Sequence, residues 1–466
     1  MKWFAAYALF LAMAASPLVC ETAAFPIGRV IESVACEKDS SESYALYLPS
    51  NYTPGKRWPV IYAFDPVARG KLPVTLFKDA AEKYGYIIAG SNNSRNFALN
   101  ESSKAANAMW IDTHARLSLD ERQTYTTGFS GGARVAGLVA SNCPQCKIAG
   151  VIAQGAGYWS PQNPVAGKML YFLTVGDQDF NWSEVIGVRR ERENSGTPYR
   201  VRVFAGPHQW APAALLEEAV EWIRLKAMQS GTQPRDADFI ERMFNKAIAE
   251  SGATERANDA INQLNAYRLL ASDFAGLKDV QQYESKLAAL KKSAALKNAL
   301  KKEQDEIEAQ QTLTRDASIQ LGKLADAAFD ERMSLKREIS DAFSHLDTQA
   351  EHADKESRRN LYKRCFNDLW AQGIEAGQGQ FEQRHFDVAI TYFQLMADVL
   401  PAEPWPSLLL ADAWTGLGNK KEAFKSLREA IKRGLKNPEV LEKDRNLEGL
   451  RPEPEFQQIV AELKKK

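Results

Sequence analysis

The chain has 466 residues, with 59 basic and 59 acidic side chains and a formal charge of zero. That length exceeds one ordinary domain and predicts two or three, each with its own core. The even balance leaves no electrostatic footprint for nucleic acid or an anionic membrane surface, so no nucleic-acid partner is expected.

The first residues carry Lys2, an apolar run from Trp3 to Ala15, and small residues around Thr22-Ala23-Ala24. This is the pattern of a secretory signal peptide over residues 1–24. The run is too short to span a bilayer and nothing comparable follows, so an exported chain, periplasmic or secreted, without a transmembrane segment is expected. Pro17-Leu18-Val19 fits a lipobox poorly, so lipid anchoring at Cys20 is not expected. Of the remaining cysteines, Cys143-Pro-Gln-Cys146 fits a local disulfide better than a redox dithiol, because it follows a predicted helix instead of opening one. Cys36 and Cys365 stay unassigned, and no ligand pair at metal spacing accompanies the CxxC.

From Gly28 to Met228 strands and helices alternate. Strands are predicted over Arg29–Ala35, Tyr44–Leu48, Pro59–Phe64, Tyr86–Ala89, Gln123–Thr127, Ile148–Ala153, Met169–Val175 and Tyr199–Ala205. Helices are predicted over Leu72–Tyr84, Glu101–Leu117, Gly131–Ser141, Trp182–Glu193 and Pro212–Met228. Two hairpin-like strands followed by repeated βα units predict a mostly parallel eight-stranded sheet with helices on both faces.

The β-branched and aromatic run Thr124 to Thr127 leads into Gly128-Phe129-Ser130-Gly131-Gly132, and a small-residue helical stretch follows. A G-x-S-x-G between strand and helix is the setting of a nucleophile elbow, with the serine lifted over the sheet edge at a helix N-terminus. A serine nucleophile needs a base to take its proton and a carboxylate to orient that base. With the elbow after the fifth of eight strands, residues 25–228 resemble the α/β-hydrolase superfamily, in its esterase, dienelactone-hydrolase and polyhydroxyalkanoate-depolymerase branch. The segment between the sixth and seventh strands is too short for a large lid.

The resemblance implies a chain order of serine, acid, histidine. It excludes His114, expected as a surface or capping residue, and points to His208 in Gly206-Pro207-His208, directly after the last strand. Asp177 and Asp179 are the only aspartates between Ser130 and His208. The family's G-x-x-D spacing from Gly176 favours Asp179, leaving Asp177 to cap the following helix, with Glu184 as a substitute only in an unusual loop. The oxyanion hole would use the Gly131 N–H and a second donor from the loop after the third strand, Phe64 to Gly70. Many relatives have His-Gly where this chain has Asp65-Pro66. Pro66 has no N–H, so Val67 or Ala68 is the candidate, with Val67 preferred, and Asp65 must point away from a developing anion. Arg95 and Asn96, with Trp182 and Trp210, are further candidates for lining a substrate cleft.

The composition changes at Ser230-Gly231-Thr232-Gln233-Pro234, a predicted linker over 229–234. From Arg235 to Leu400 there is no proline, and Ala, Leu, Lys, Glu and Gln dominate. Val280, Tyr283, Leu287 and Leu290 recur at helical spacing, as do Leu335, Ile339, Ala342 and Leu346. Helical hairpins, a bundle or coiled-coil-like helices are expected over 235–369. His345 and His352 share a helix face there and read as solvated. Ala389 and Ala423 stand 34 residues apart. With Trp414, Leu417-Gly418 and Ala430, and more loosely Gly377 and Pro401, the stretch within 370–466 resembles tetratricopeptide repeats plus a C-terminal cap.

These readings imply an exported serine hydrolase for small or polymeric esters, with Ser130, His208 and Asp179 as its working residues, no cofactor and no metal. The helical part would offer a groove to a protein or an extended ligand. A serine peptidase with the same residues, or a non-catalytic binding scaffold on a degenerate hydrolase fold, are the competing readings.

Overall fold

The computed structural model describes residues 25–96, 98–157, 169–193 and 196–465. The expected leader over 1–24, Cys20 included, lies outside them, as does most of the segment between the sixth and seventh strands on which the expectation of no large lid rests. The strands are β1 (Val30–Ala35), β2 (Ser43–Tyr47), β3 (Trp58–Phe64), β4 (Ile87–Ser91), β5 (Leu119–Phe129), β6 (Ile148–Gln154), β7 (Leu170–Gly176) and β8 (Tyr199–Phe204). Between and after them run α1 (Lys71–Tyr84), α2 (Leu99–Arg116), α3 (Gly131–Asn142), α4 (Trp182–Arg192) and α5 (Ala213–Gln229).

These strands form one sheet in the order β1-β2-β4-β3-β5-β6-β7-β8. β2 pairs antiparallel with β1 and β4, and the pairs from β4 to β8 are parallel, so the sheet is mixed with its parallel part at the centre. This is an α/β-hydrolase-like sheet. The largest boundary difference is in β5, which begins at Leu119 and not at Gln123. Asp120 explains it: its carboxylate takes the Arg122 guanidinium at 3.1 Å and the Gln123 amide at 3.0 Å, so polar residues that read as loop are paired off within the strand. Further along β5, Thr126 donates to the Ala136 carbonyl at 3.0 Å and Thr127 to the Ile152 carbonyl at 2.8 Å, which satisfies buried hydroxyls and ties the strand to α3 and β6.

One face of the sheet packs Tyr62, Val151 and Leu173 against Met109 of α2, Val135 of α3 and Val185 of α4. The other packs Ile61, Ile152 and Phe172 against Phe77 of α1 and Trp222 and Ile223 of α5. Each large side chain so buried contributes roughly 1.5–3 kcal/mol relative to exposure.

The rest of the described chain is helical: α6 (Ala237–Ala257), α7 (Ala260–Arg268), α8 (Gln281–Lys291), α9 (Ala294–Lys323), α10 (Phe329–Glu351), α11 (Glu356–Glu382), α12 (Phe386–Val399), α13 (Trp405–Gly416), α14 (Lys420–Lys432), α15 (Pro438–Lys443) and α16 (Pro454–Lys464). Asp236, Asp259, Ser293 and Asn419 accept N–H bonds as N-caps. The expected linker at 229–234 does not separate two cores. Phe239, Ile240, Met243 and Ala247 form one stripe of α6 and join the apolar cluster of α1 and α5. Beyond α7, the buried Asp273 accepts from Trp222 Nε1 at 2.7 Å and Lys226 Nζ at 3.3 Å, fixing the helical half to α5.

On α10, Leu335, Ile339 and Leu346 are buried, as their spacing predicts. Helices α11 to α14 pack consecutively, each on the next. Their small residues sit at the crossings: Ala389 and Ala423 are fully buried, and a Cβ at Gly377 would stand 2.6 Å from the Phe393 ring.

Candidate active site

β5 ends at Phe129 and α3 begins at Gly131, leaving Ser130 alone to reverse the chain. Ser130 has φ +54° and ψ −124°, a conformation that L residues avoid at a cost of about 1–3 kcal/mol. The flanking glycines make the turn fit. A Cβ on Gly128 would run into the backbone of Gly132, and one on Gly132 into the Phe64 carbonyl at the end of β3. The Ser130 N–H donates to the Gln154 carbonyl at 2.8 Å, anchoring the turn to β6.

Ser130 Oγ lies 2.9 Å from His208 Nε2. His208 Nδ1 lies 2.9 Å from both carboxylate oxygens of Asp179. Three residues spaced far apart in sequence thus form one continuous chain of hydrogen bonds at the carboxyl edge of the sheet. Asp179 is fully buried and His208 is 19% exposed. The Asn181 N–H donates to Asp179 Oδ1 at 2.8 Å, which holds the carboxylate in the turn between β7 and α4. The imidazole packs against two rings that the sequence patterns do not single out, Phe129 at 4.5 Å and Phe180 at 4.3 Å between centroids. Their places beside the serine and the acid were the available signal.

Asp177 does not cap α4. Its Oδ1 accepts the Gly206 N–H at 3.0 Å and its Oδ2 accepts Asn360 Nδ2 at 3.0 Å, so it links the His208 loop to α11. Glu184 pairs with Arg134 at 2.7 Å and accepts the Gly157 N–H at 2.9 Å. His114, in the last turn of α2, faces the Trp110 carbonyl at 2.8 Å, and burial lowers its pKa. His345 and His352 are exposed.

The Gly131 N–H takes no acceptor among the described residues. The expectation for Val67 is corrected: its N–H donates to Asp65 Oδ1 at 3.0 Å, and the Ala68 N–H donates to the Asp65 carbonyl at 3.2 Å. An aspartate that accepts from the N–H two residues on forms its own turn, which the Asp-Pro-Val sequence could have signalled. Asp65 itself is fully buried and its carboxylate is taken up by Arg69 at 2.9 Å and by Trp210 Nε1 at 3.0 Å. Trp210 therefore bridges the two loops instead of standing free in a cleft. Trp182 is also corrected, being 7% exposed and part of the core beneath Arg364. Arg95 is exposed at the rim, its backbone bridged to Val67. Its neighbour Asn96 is closer to the serine than any spacing argument indicated: the carboxamide fills the space a Cβ on Gly131 would need.

Glu375 of α11 lies near Arg134 and His208. Burial raises the Glu375 carboxyl above the ordinary range, and the nearby Arg134 and His208 pull it back. At the C-terminal end of α3, Cys143 and Cys146 form a disulfide, as the CxxC reading expected. Cys36 and Cys365 are free thiols, each buried, with burial pushing them up to about 11 and about 12.

No protein-family model matches the chain, and no curated protein matches it. Solved structures similar to it include a ferulic acid esterase, 16% identical over 42% of this chain and 97% of that one, with a TM-score of 0.35. An S-formylglutathione hydrolase from Agrobacterium tumefaciens is 11% identical over 42% of this chain and 93% of its own, with a TM-score of 0.34. A Bacillus cereus carboxylesterase is 14% identical over 40% of this chain and 95% of its own, with a TM-score of 0.33. At scores this low the likeness carries no weight for function, and the side-chain geometry must carry it.

Proposed function

We infer that the chain is an exported serine hydrolase that cleaves carboxylic esters through an acyl-enzyme. The observation that carries this reading is the chain of 2.9 Å contacts from Ser130 Oγ through His208 to Asp179, set on a strained elbow. Ser130 Oγ attacks the ester carbonyl while His208 Nε2 takes its proton, and the Nδ1–H stays with Asp179, which orients the ring and balances the imidazolium. The tetrahedral oxyanion is held by the Gly131 N–H at the start of α3. Asn96 supplies the second donor in place of Val67, since a half-turn of its amide presents Nδ2 where its oxygen now packs on Gly131. Collapse transfers the Nε2 proton to the leaving alcohol. Water then attacks the acyl-serine with His208 as base, releasing the acid and restoring Ser130.

Export is part of this reading, supported by the apolar leader and by the disulfide, which persists in oxidising compartments. So is the repeat character of α11 to α14, supported by their consecutive packing and the small residues at their crossings. It would offer a groove to a protein or an extended ligand.

The test is turnover of short-chain p-nitrophenyl esters, with peptide anilides in parallel to separate the peptidase reading. Ser130→Ala and His208→Ala should each lower kcat by about 10³-fold or more, and the double variant should fall little further because the groups act as a unit. Hydrolysis unchanged in Ser130→Ala would overturn the reading.

A further inference from the structure

The loop that carries Asp179, from Gly176 to Asn181, satisfies its backbone in two directions. Two of its N–H groups turn to the end of β8 and the His208 loop: Asp177 donates to the Phe204 carbonyl at 2.8 Å and Gln178 to the Gly206 carbonyl at 3.0 Å. Three of its carbonyls turn to the helical half. The Asp177 carbonyl accepts Arg364 Nη1 at 2.8 Å, the Gln178 carbonyl accepts Asn367 Nδ2 at 3.2 Å, and the Phe180 carbonyl accepts Gln310 Nε2 at 3.0 Å. Asn360, Arg364 and Asn367 fall at helical spacing on one face of α11, and Gln310 comes from α9.

Arg364 is the hub. It is 3% exposed, its Nε donates to Gln310 Oε1 at 3.2 Å, and its guanidinium stacks 4.2 Å from the Trp182 ring at the start of α4. A buried guanidinium needs acceptors for its fork of N–H groups, and here they are the Asp177 carbonyl of the acid loop, Gln310 Oε1 and, at 3.4 Å from Nη2, the Glu306 carboxylate of α9. Other polar contacts join the two halves, as at Asp273, but at the acid loop four side chains of the helical half, Asn360, Arg364, Asn367 and Gln310, converge on the six residues around the carboxylate.

We propose that the helical half is a working part of the catalytic centre, in which Arg364, with Asn367 and Gln310, acts as a positioning residue that sets Asp179 against His208. The proposal rests on the reading of Ser130, His208 and Asp179 given above. It makes hydrolysis depend on residues more than a hundred positions beyond the last strand, and it means that strain on α11 is felt at Asp179.

The test compares full-length wild type with Arg364→Met, Asn367→Ala and the control Arg358→Ala, an exposed position on the same helix that pairs with Asp354. Loss of positioning should lower kcat about 10- to 100-fold with KM little changed. It should also remove or shift the low-field proton resonance of His208 Nδ1–H, a signal that intact folding alone does not secure. Added guanidinium should partly restore Arg364→Ala. Because Arg364 is buried and its loss could unfold the chain, the half-buried Asn367 carries the decision. An active wild type with Asn367→Ala and Arg364→Met unchanged in kcat and in the resonance would overturn the proposal while leaving the hydrolase reading intact. A wild type neither active nor labelled at Ser130 by a fluorophosphonate would overturn both.

Discussion

At the scale of single residues the site is built on one strained backbone. Ser130 sits at φ +54° and makes no side-chain cap to α3, so nothing in the turn but its hydroxyl chemistry favours serine there. Ser130→Gly is therefore expected to be more stable than Ser130→Ala by about 1–3 kcal/mol in urea unfolding, since both lose the His208 contact and only glycine adopts that backbone freely. Equal stability would show that the turn is not strained. Asn96→Ala is expected to lower kcat on the order of 10²-fold with KM nearly unchanged, as removal of one oxyanion donor does; an unaltered kcat would return that role to the backbone. Ser130, His208 and Asp179 were legible because residue type, chain order and turn context all agreed. Asn96 was legible only as a residue near the cleft, because its reach to Gly131 is set by how the loop after β4 folds over α3. Val67 misled because its neighbour Asp65 claims its N–H.

At the scale of elements, alternation and helical period placed every strand and helix of the first half. The errors fell where side chains pair locally, as at the start of β5 around Asp120. Helix α13 holds a feature that periodicity does not reveal. Asp412 is 4% exposed, its Oδ1 has no partner among the described residues, and Asn446 Nδ2 lies 3.4 Å from Oδ2. Burial first, and then the charge of Asp444, push its carboxyl well above the usual range. The folded chain therefore binds this proton more tightly than the unfolded chain. The stabilising contribution is complete below the ordinary carboxylate range and is lost as pH rises through the raised value. Asp412→Asn should remove that loss. Its Tm should match wild type near pH 4 and exceed it increasingly toward pH 8, and a gap that closes or reverses with rising pH would contradict this.

At the scale of the molecule, the composition break at 229–234 marked where strands stop, but not where the core stops. Apolar residues of α6 cover α1 and α5, Ile307 of α9 reaches the cluster on the opposite face, and α11 stands over the acid loop. Composition records which residues form helices, whereas the partner of an amphipathic stripe is a matter of tertiary packing and was not readable. A fragment of residues 25–228 is thus expected to aggregate or to melt without a cooperative transition, because the surface under Phe239, Ile240 and Met243 is uncovered; a soluble, cooperatively folding fragment would show that the two halves are independent. The whole reading depends on an activated hydroxyl at one position. The most direct measurement is peptide mapping by mass spectrometry after the purified protein reacts with a fluorophosphonate, which a nucleophilic serine displaces fluoride from to form a stable phosphonyl ester. A single adduct on Ser130, absent from Ser130→Ala and strongly slowed in His208→Ala, is the expected result. A folded wild-type protein that stays unlabelled, or carries the adduct on another residue, would contradict it.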